Sequence, residues 1–127
     1  IRRVLALPLV DAEAVRKRHF KVVVDAVNSV GGIVIPKLLR ELGCEVVELN
    51  CEPTGEFAHN PEPLPENLTE ISKAIVREQA DLGVVVDPDV DRLASSAKTA
   101  RCLSRNIRWS PWRTISSPAK PAIRCRI

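Results

Sequence analysis

Apolar residues fall along this chain in two rhythms. Lys21-Val22-Val23-Val24-Asp25 and the stretch Asp81 to Val86 are short, uninterrupted and rich in β-branched side chains, the pattern of strands buried on both faces. Glu45-Val46-Val47-Glu48-Leu49 predicts another strand. Between them the period lengthens. Ile35, Leu38, Leu39 and Leu42 share one face of a helix over Ile33 to Leu42, with Pro36 compatible only with its first turn and Gly43 suited to ending it. Leu68, Ile71, Ala74 and Ile75 form the apolar stripe of a second helix, Glu66 to Gln79, with Asn67 as candidate N-cap and Glu70 three residues later. Ala26 to Gly32 reads as a turn, and Asn50 to Pro65 as a loop punctuated by Pro53, Pro61, Pro63 and Pro65. Upstream, Asp11 to Phe20 fits a short helix with Asp11 as N-cap and Arg16, Lys17 and Arg18 near its C-terminal end.

The order strand, helix, strand, helix, strand predicts an α/β fold, a small sheet with mostly parallel strands flanked by helices. In such sheets ligands sit beyond the carboxyl ends of strands. The segment expected there, after the last of these strands, is Asp87-Pro88-Asp89-Val90-Asp91-Arg92. Alternate side chains of an extended segment point the same way, so Asp87, Asp89 and Asp91 can converge. Three converging carboxylates repel one another unless a cation neutralises them, and hard oxygen ligands favour Mg²⁺ or Ca²⁺. Remaining coordination positions would admit a phosphate oxygen, which Arg92 is suited to bond. The bland alternative is an acidic solvated turn; the position directly after Val84-Val85-Val86 argues against it. A haloacid-dehalogenase-like nucleophile loop also runs from a strand into D-x-D, but that pattern places further aspartates downstream, and no acid follows Asp91.

Composition narrows the picture. A chain of 127 residues suffices for one domain with a modest core, and 3% aromatic content leaves that core to aliphatic side chains. No apolar run approaches the roughly 18 residues of a membrane span. Cys44, Cys51, Cys102 and Cys125 show no C-x-x-C spacing, which argues against zinc, demands no disulfide and makes a reducing cytoplasm the default. The opening Ile1-Arg2-Arg3-Val4 has neither a methionine nor a signal-peptide layout, so a piece of a longer chain is expected. Charge is divided sharply. Residues 1–92 hold 11 Lys/Arg and all 16 Asp/Glu, whereas residues 93–127 hold 8 Lys/Arg, no acid, no glycine and both tryptophans, Trp109 and Trp112.

The run from Lys21 to Ala94 resembles the second domain of the α-D-phosphohexomutases, the phosphoglucomutase/phosphomannomutase/phosphoglucosamine mutase family. The match is carried by Lys21-Val22-Val23-Val24-Asp25, by Asn28 with Gly31-Gly32, by Leu38-Leu39 through Gly43-Cys44, by Pro61-Glu62-Pro63, and by Asp81-Leu82-Gly83 leading into Asp87-Pro88-Asp89-Val90-Asp91-Arg92. The resemblance implies an enzyme that moves a phosphate between the 1 and 6 positions of a hexose phosphate through a phosphoserine and Mg²⁺. Asp87, Asp89 and Asp91 would then be metal ligands and Arg92 a phosphate-side contact. It also implies what is missing. The chain has no serine-histidine-asparagine-proline loop; His59-Asn60-Pro61 follows Ala58, not serine, and is expected to be a structural element of its loop. The sugar-binding domains are absent too. No catalytic residue is therefore assigned, the chain alone is expected to be inactive with weak Mg²⁺ binding, and the hexose phosphate belongs to the full-length parent.

After Ala94 the pattern changes. If one base was lost just after that codon, allowed wobble choices restore the tail through Ile115 as LICEDGEMFVEEYTLVAVADY, and Lys120 to Ile127 as KTGNTVSN. The first string is an apolar strand, an acidic turn and an amphipathic helix, which resembles the family's own continuation. The expected organisation is thus a lead-in segment at 1–20, the α/β domain at 21–94, incomplete at its C-terminal end, and a frameshifted, non-native basic tail at 95–127 with poor order and an exposed sheet edge beside it. The alternative is a basic-tailed nucleic-acid-binding module on an α/β scaffold, with Trp109 and Trp112 stacking on bases. No specific nucleic acid and no membrane partner is expected.

Overall fold

The computed structural model describes residues 1–62, 64–97 and 102–104. Two short helices, α1 (Arg2–Leu5) and α2 (Ala12–Arg18), precede the sheet. β1 (Lys21–Asp25), β2 (Glu45–Leu49) and β3 (Leu82–Val86) run parallel, joined by α3 (Gly31–Glu41) and α4 (Thr69–Arg77). β4 (Leu93–Ala97) and β5 (Cys102–Ser104) continue the sheet antiparallel, giving the order β2-β1-β3-β4-β5. The sheet is therefore mixed, its parallel half being the part foreseen.

The two crossover helices cover opposite faces. A Cβ on Gly83 would meet Ile75 and Ile71 of α4, whereas one on Gly31 of α3 would meet Val86. Gly83 and Val86 are three residues apart on one strand and so point to opposite faces. The main core lies under α4, where Leu68, Ile71, Ala74 and Ile75 pack on Val23, Ala80, Val85 and Ala94. Burying Ile71 and Ile75 contributes roughly 1.5–3 kcal/mol each.

Several local expectations hold. Asp11 caps α2 by accepting the Ala14 N–H at 2.9 Å. Others are corrected. α3 begins at Gly31, so Pro36 is its sixth residue rather than lying in the first turn. The ring removes the bond to the Gly32 carbonyl and would crowd it. The second predicted helix opens as a 3₁₀ turn, Pro65–Leu68, and α4 has no side-chain cap. Asn67 is diverted: its Nδ2 donates to the Glu62 carbonyl at 2.8 Å.

The exposed edge expected beside Arg92 is also corrected. β4 pairs with β3 along its whole length, from Val86↔Leu93 to Leu82↔Ala97. Antiparallel pairing is a backbone ladder, and of side chains it asks chiefly alternation. Ala94 and Ser96 turn inward, where small residues fit beneath α4, and both are buried. Of the tail expected to be poorly ordered, residues 95–97 belong to β4 and Cys102–Ser104 form β5, and the rest lies outside the described residues.

Candidate metal centre

The acidic segment connects β3 to β4 at the carboxyl end of the parallel half. It is a tight turn, not the extended run assumed from alternation. The Val90 N–H donates to the Asp87 carbonyl at 3.1 Å, and the Asp87 N–H to the Arg92 carbonyl at 3.4 Å. Val90 adopts φ 61, a left-handed conformation that costs a β-branched residue on the order of 1–3 kcal/mol. The turn after β1 holds a second such residue, Val27 at φ 46, fully buried. The turns after two adjacent strands thus each hold a strained valine.

The start of α3 lies against this turn. A Cβ on Gly31 would sit 2.7 Å from Val86 Cγ2 and 3.4 Å from Val90 Cγ2. One on Gly32 would sit 2.1 Å from the Cys51 carbonyl oxygen. Both glycines are demanded by close approach.

Asp87, Asp89 and Asp91 come together as expected. Each offers a carboxylate oxygen, and the three oxygens lie within 4.8 Å of one another. Asp87 is fully buried, the other two exposed. Asp87 is also the anchored member. Its Oδ1 accepts the Arg92 N–H at 3.1 Å and its Oδ2 accepts Arg92 Nε–H at 2.5 Å. Burial pushes the Asp87 carboxyl up, but the two Arg92 hydrogen bonds and the Arg92 charge outweigh it and hold the carboxyl below its ordinary range. Asp91 is pushed the other way, first by its hydrogen bond with Asp87, then by burial and by the charges of Asp89 and Asp87. One carboxylate is compensated and its neighbours repel. This donor set, all oxygen with two exposed members, suits Mg²⁺, which binds oxygens at about 2.0–2.1 Å and keeps several positions for water or phosphate.

Arg92 faces its own acids. Its Nη1 lies 3.5 Å from Glu62 Oε1 and its Nε 3.6 Å from Asp91. The Glu62 contact was not foreseen. Nor was the partner of His59, whose Nε2 lies 2.9 Å from Oδ2 of the buried Asp25, while Nδ1 lies 2.8 Å from the Asn60 carbonyl. The only signal in the sequence is Asp25 itself, a carboxylate closing a buried strand. Cys51, near the same end of the sheet, has its thiol pushed up to about 11 by burial and then by the Glu48 charge, so it stays protonated.

The class the fold defines is an α/β domain with an oxygen-donor turn at the carboxyl end of its parallel strands, the place where such sheets carry ligands. The comparisons name the family. Residues 1–100 match the family model for phosphoglucomutase/phosphomannomutase, alpha/beta/alpha domain II. The phosphoglucomutase/phosphomannomutase of Thermococcus kodakarensis is 50% identical over 84 residues, 65% of this chain and 18% of that protein. The phosphomannomutase/phosphoglucomutase of Pseudomonas aeruginosa is 44% identical over 84 residues, again 65% and 18%. The crystal structure of a phosphoglucomutase/phosphomannomutase family protein from Burkholderia thailandensis superposes with a TM-score of 0.63 at 33% identity, over 74% of this chain and 23% of that one. The chain belongs to the phosphoglucomutase/phosphomannomutase family and corresponds to its domain II. It spans about a fifth of the length of the curated relatives it matches. The haloacid-dehalogenase-like reading falls with this assignment, and the nucleic-acid reading is left without support.

Proposed function

We propose that this chain supplies the metal-holding part of a phosphohexomutase, an intramolecular phosphotransferase interconverting hexose 1- and 6-phosphates, and is inactive without the parent's other domains. The observation that carries the proposal is the convergence of Asp87, Asp89 and Asp91 within 4.8 Å at the end of β3. Asp87, Asp89 and Asp91 would hold Mg²⁺, which when bound supplies Lewis-acid stabilisation of charge on a phosphoryl oxygen. The chain's own residues set the stage. Arg92 fixes the buried Asp87 and keeps it ionised, so one ligand is ready before the cation arrives. Asp89 and Asp91, both exposed, complete the set. Arg92, at the rim, is placed to exchange Glu62 for a phosphate oxygen. The basic segment from residue 95 is read as a frameshifted continuation; sequencing the coding DNA around codon 94 tests this, and an open frame one base away is the expected result.

The site is tested with Mn²⁺ as a paramagnetic stand-in. Amide signals of residues 87–92 and of Gly31, packed beside Val90, should broaden first. Broadening spread evenly over the many acidic surface residues would reject the site.

A further inference from the structure

The long loop between β2 and α4 is fastened to the sheet at two places. Near its start, the Asn28 N–H donates to the Asn50 carbonyl at 2.6 Å, and the Gly55 N–H to the Asn28 carbonyl at 3.0 Å. Further on, His59 reaches back to Asp25, 34 residues away. From His59 a continuous chain of polar contacts runs to the aspartate turn. His59 Nδ1 meets the Asn60 carbonyl, Asn60 Oδ1 accepts the Glu62 N–H at 3.2 Å, and Glu62 Oε1 meets Arg92 Nη1. Arg92 in turn holds Asp87 through Nε.

We infer that His59 is a positioning residue: its ring locks the loop onto the carboxyl end of β1 and, through Asn60 and Glu62, sets the place of Arg92, the lock being closed when the imidazole is protonated. This rests on the reading of Asp87 to Arg92 as the metal and phosphate site.

Both ring nitrogens face acceptors, a carboxylate oxygen and a carbonyl. A neutral imidazole has one N–H and can satisfy only one of them; the imidazolium satisfies both. Asp25 is 1% exposed and the His59 side chain 17%, so little water is at hand to replace a lost partner. The charged groups facing His59 are Asp25 from β1 and Glu70 from α4, both acidic. Asn50 Nδ2 spans these two carboxylates, at 3.4 and 3.5 Å. Burial pulls the His59 pKa down, but the Asn60 carbonyl, Asp25 and Glu70 together outweigh it and raise it above the ordinary value. Glu62 is held at its N–H by Asn60 and at its carbonyl by the Asn67 amide, so a shift of the His59–Asn60 segment moves the residue whose carboxylate meets Arg92.

The test is a pH titration by NMR of the metal-free chain, from about pH 5 to about pH 9, spanning histidine ionisation. The His59 ring should titrate above the ordinary value of about 6.5, and the Arg92 Nε–H and the Glu62 amide should shift with the same midpoint. Exchange of the Gly55 and Glu62 amides, corrected for intrinsic rate, should rise about tenfold for each unit by which pairing raises the histidine pKa. In His59→Gln that step should vanish from Arg92. In Glu62→Gln, a milder change on the surface, the ring should keep its midpoint while Arg92 loses its response. An Arg92 signal indifferent to His59 ionisation, or one that keeps the step in Glu62→Gln, would overturn the inference. Because no metal is present, failure of Mg²⁺ binding would leave this result untouched.

Discussion

The two halves of the sheet are built on different terms. β1 and β3 are runs of valine in a parallel arrangement, closed on one face by α4 and on the other in part by α3. β4 is Leu-Ala-Ser-Ser-Ala, and β5 is Cys-Leu-Ser. The parallel half is held by apolar burial, so its strands announce themselves in the sequence. The antiparallel half is held mainly by the backbone ladder, which nearly any alternating segment with small inward residues can join. A shifted reading frame beginning at residue 95 would therefore still find a place beside β3. What it would lose is side-chain burial, and stability should be distributed accordingly.

Removing core from the parallel half is the most damaging change expected. Ile75→Ala empties a fully buried position under α4 and should lower unfolding stability by about 2–5 kcal/mol in urea titrations. A comparable loss from Leu93→Ala, half-buried in β4, would contradict the comparison. Next comes Gly32→Ala, whose new Cβ would strike the Cys51 carbonyl, a backbone atom that cannot swing away. A loss of about 1–3 kcal/mol is expected from such overpacking, read from the same titrations. Ser95→Val, in contrast, should stabilise by up to about 1 kcal/mol, because a β-branched residue opposite Val84 supplies the packing that β4 lacks.

The smallest effect is on pH dependence. His59 has a folded-state pKa raised above its unfolded value, despite burial, by the Asn60 carbonyl, Asp25 and Glu70. Its contribution is therefore complete below the unfolded value of about 6.5 and is lost as pH rises through the folded one. Thermal melts of the chain should show stability falling across that window, and His59→Gln should flatten this segment of the profile. An unchanged slope would assign the pH dependence elsewhere.

Much of the architecture was legible because periodicity reports burial directly. The valine strands, the stripe Leu68, Ile71, Ala74 and Ile75, and the Asp11 cap all lie where the pattern puts them. What escaped depends on contacts distant in sequence. Val90 and Val27 are ordinary strand formers by propensity, yet each takes a positive φ in the turn that follows its strand. Asn67 has the spacing of a cap relative to Glu70, yet it lies within the 3₁₀ turn and its amide goes to the Glu62 carbonyl. The convergence of the three aspartates was expected from the wrong geometry: a turn, not an extended strand, gathers them. His59 was expected to be a structural element of its loop, but its partner Asp25 could not be read from a separation of 34 residues.

The metal-holding turn is the central claim, and Asp89 is its cleanest handle. That side chain is exposed, and no hydrogen bond among the described residues uses its carboxylate, so Asp89→Asn removes a ligand charge without disturbing the fold. Calorimetric titration of Mg²⁺ into the wild type and into Asp89→Asn tests the claim most directly. A weak, saturable heat in the wild type that disappears in the variant is predicted; identical heats in the two proteins would contradict the site.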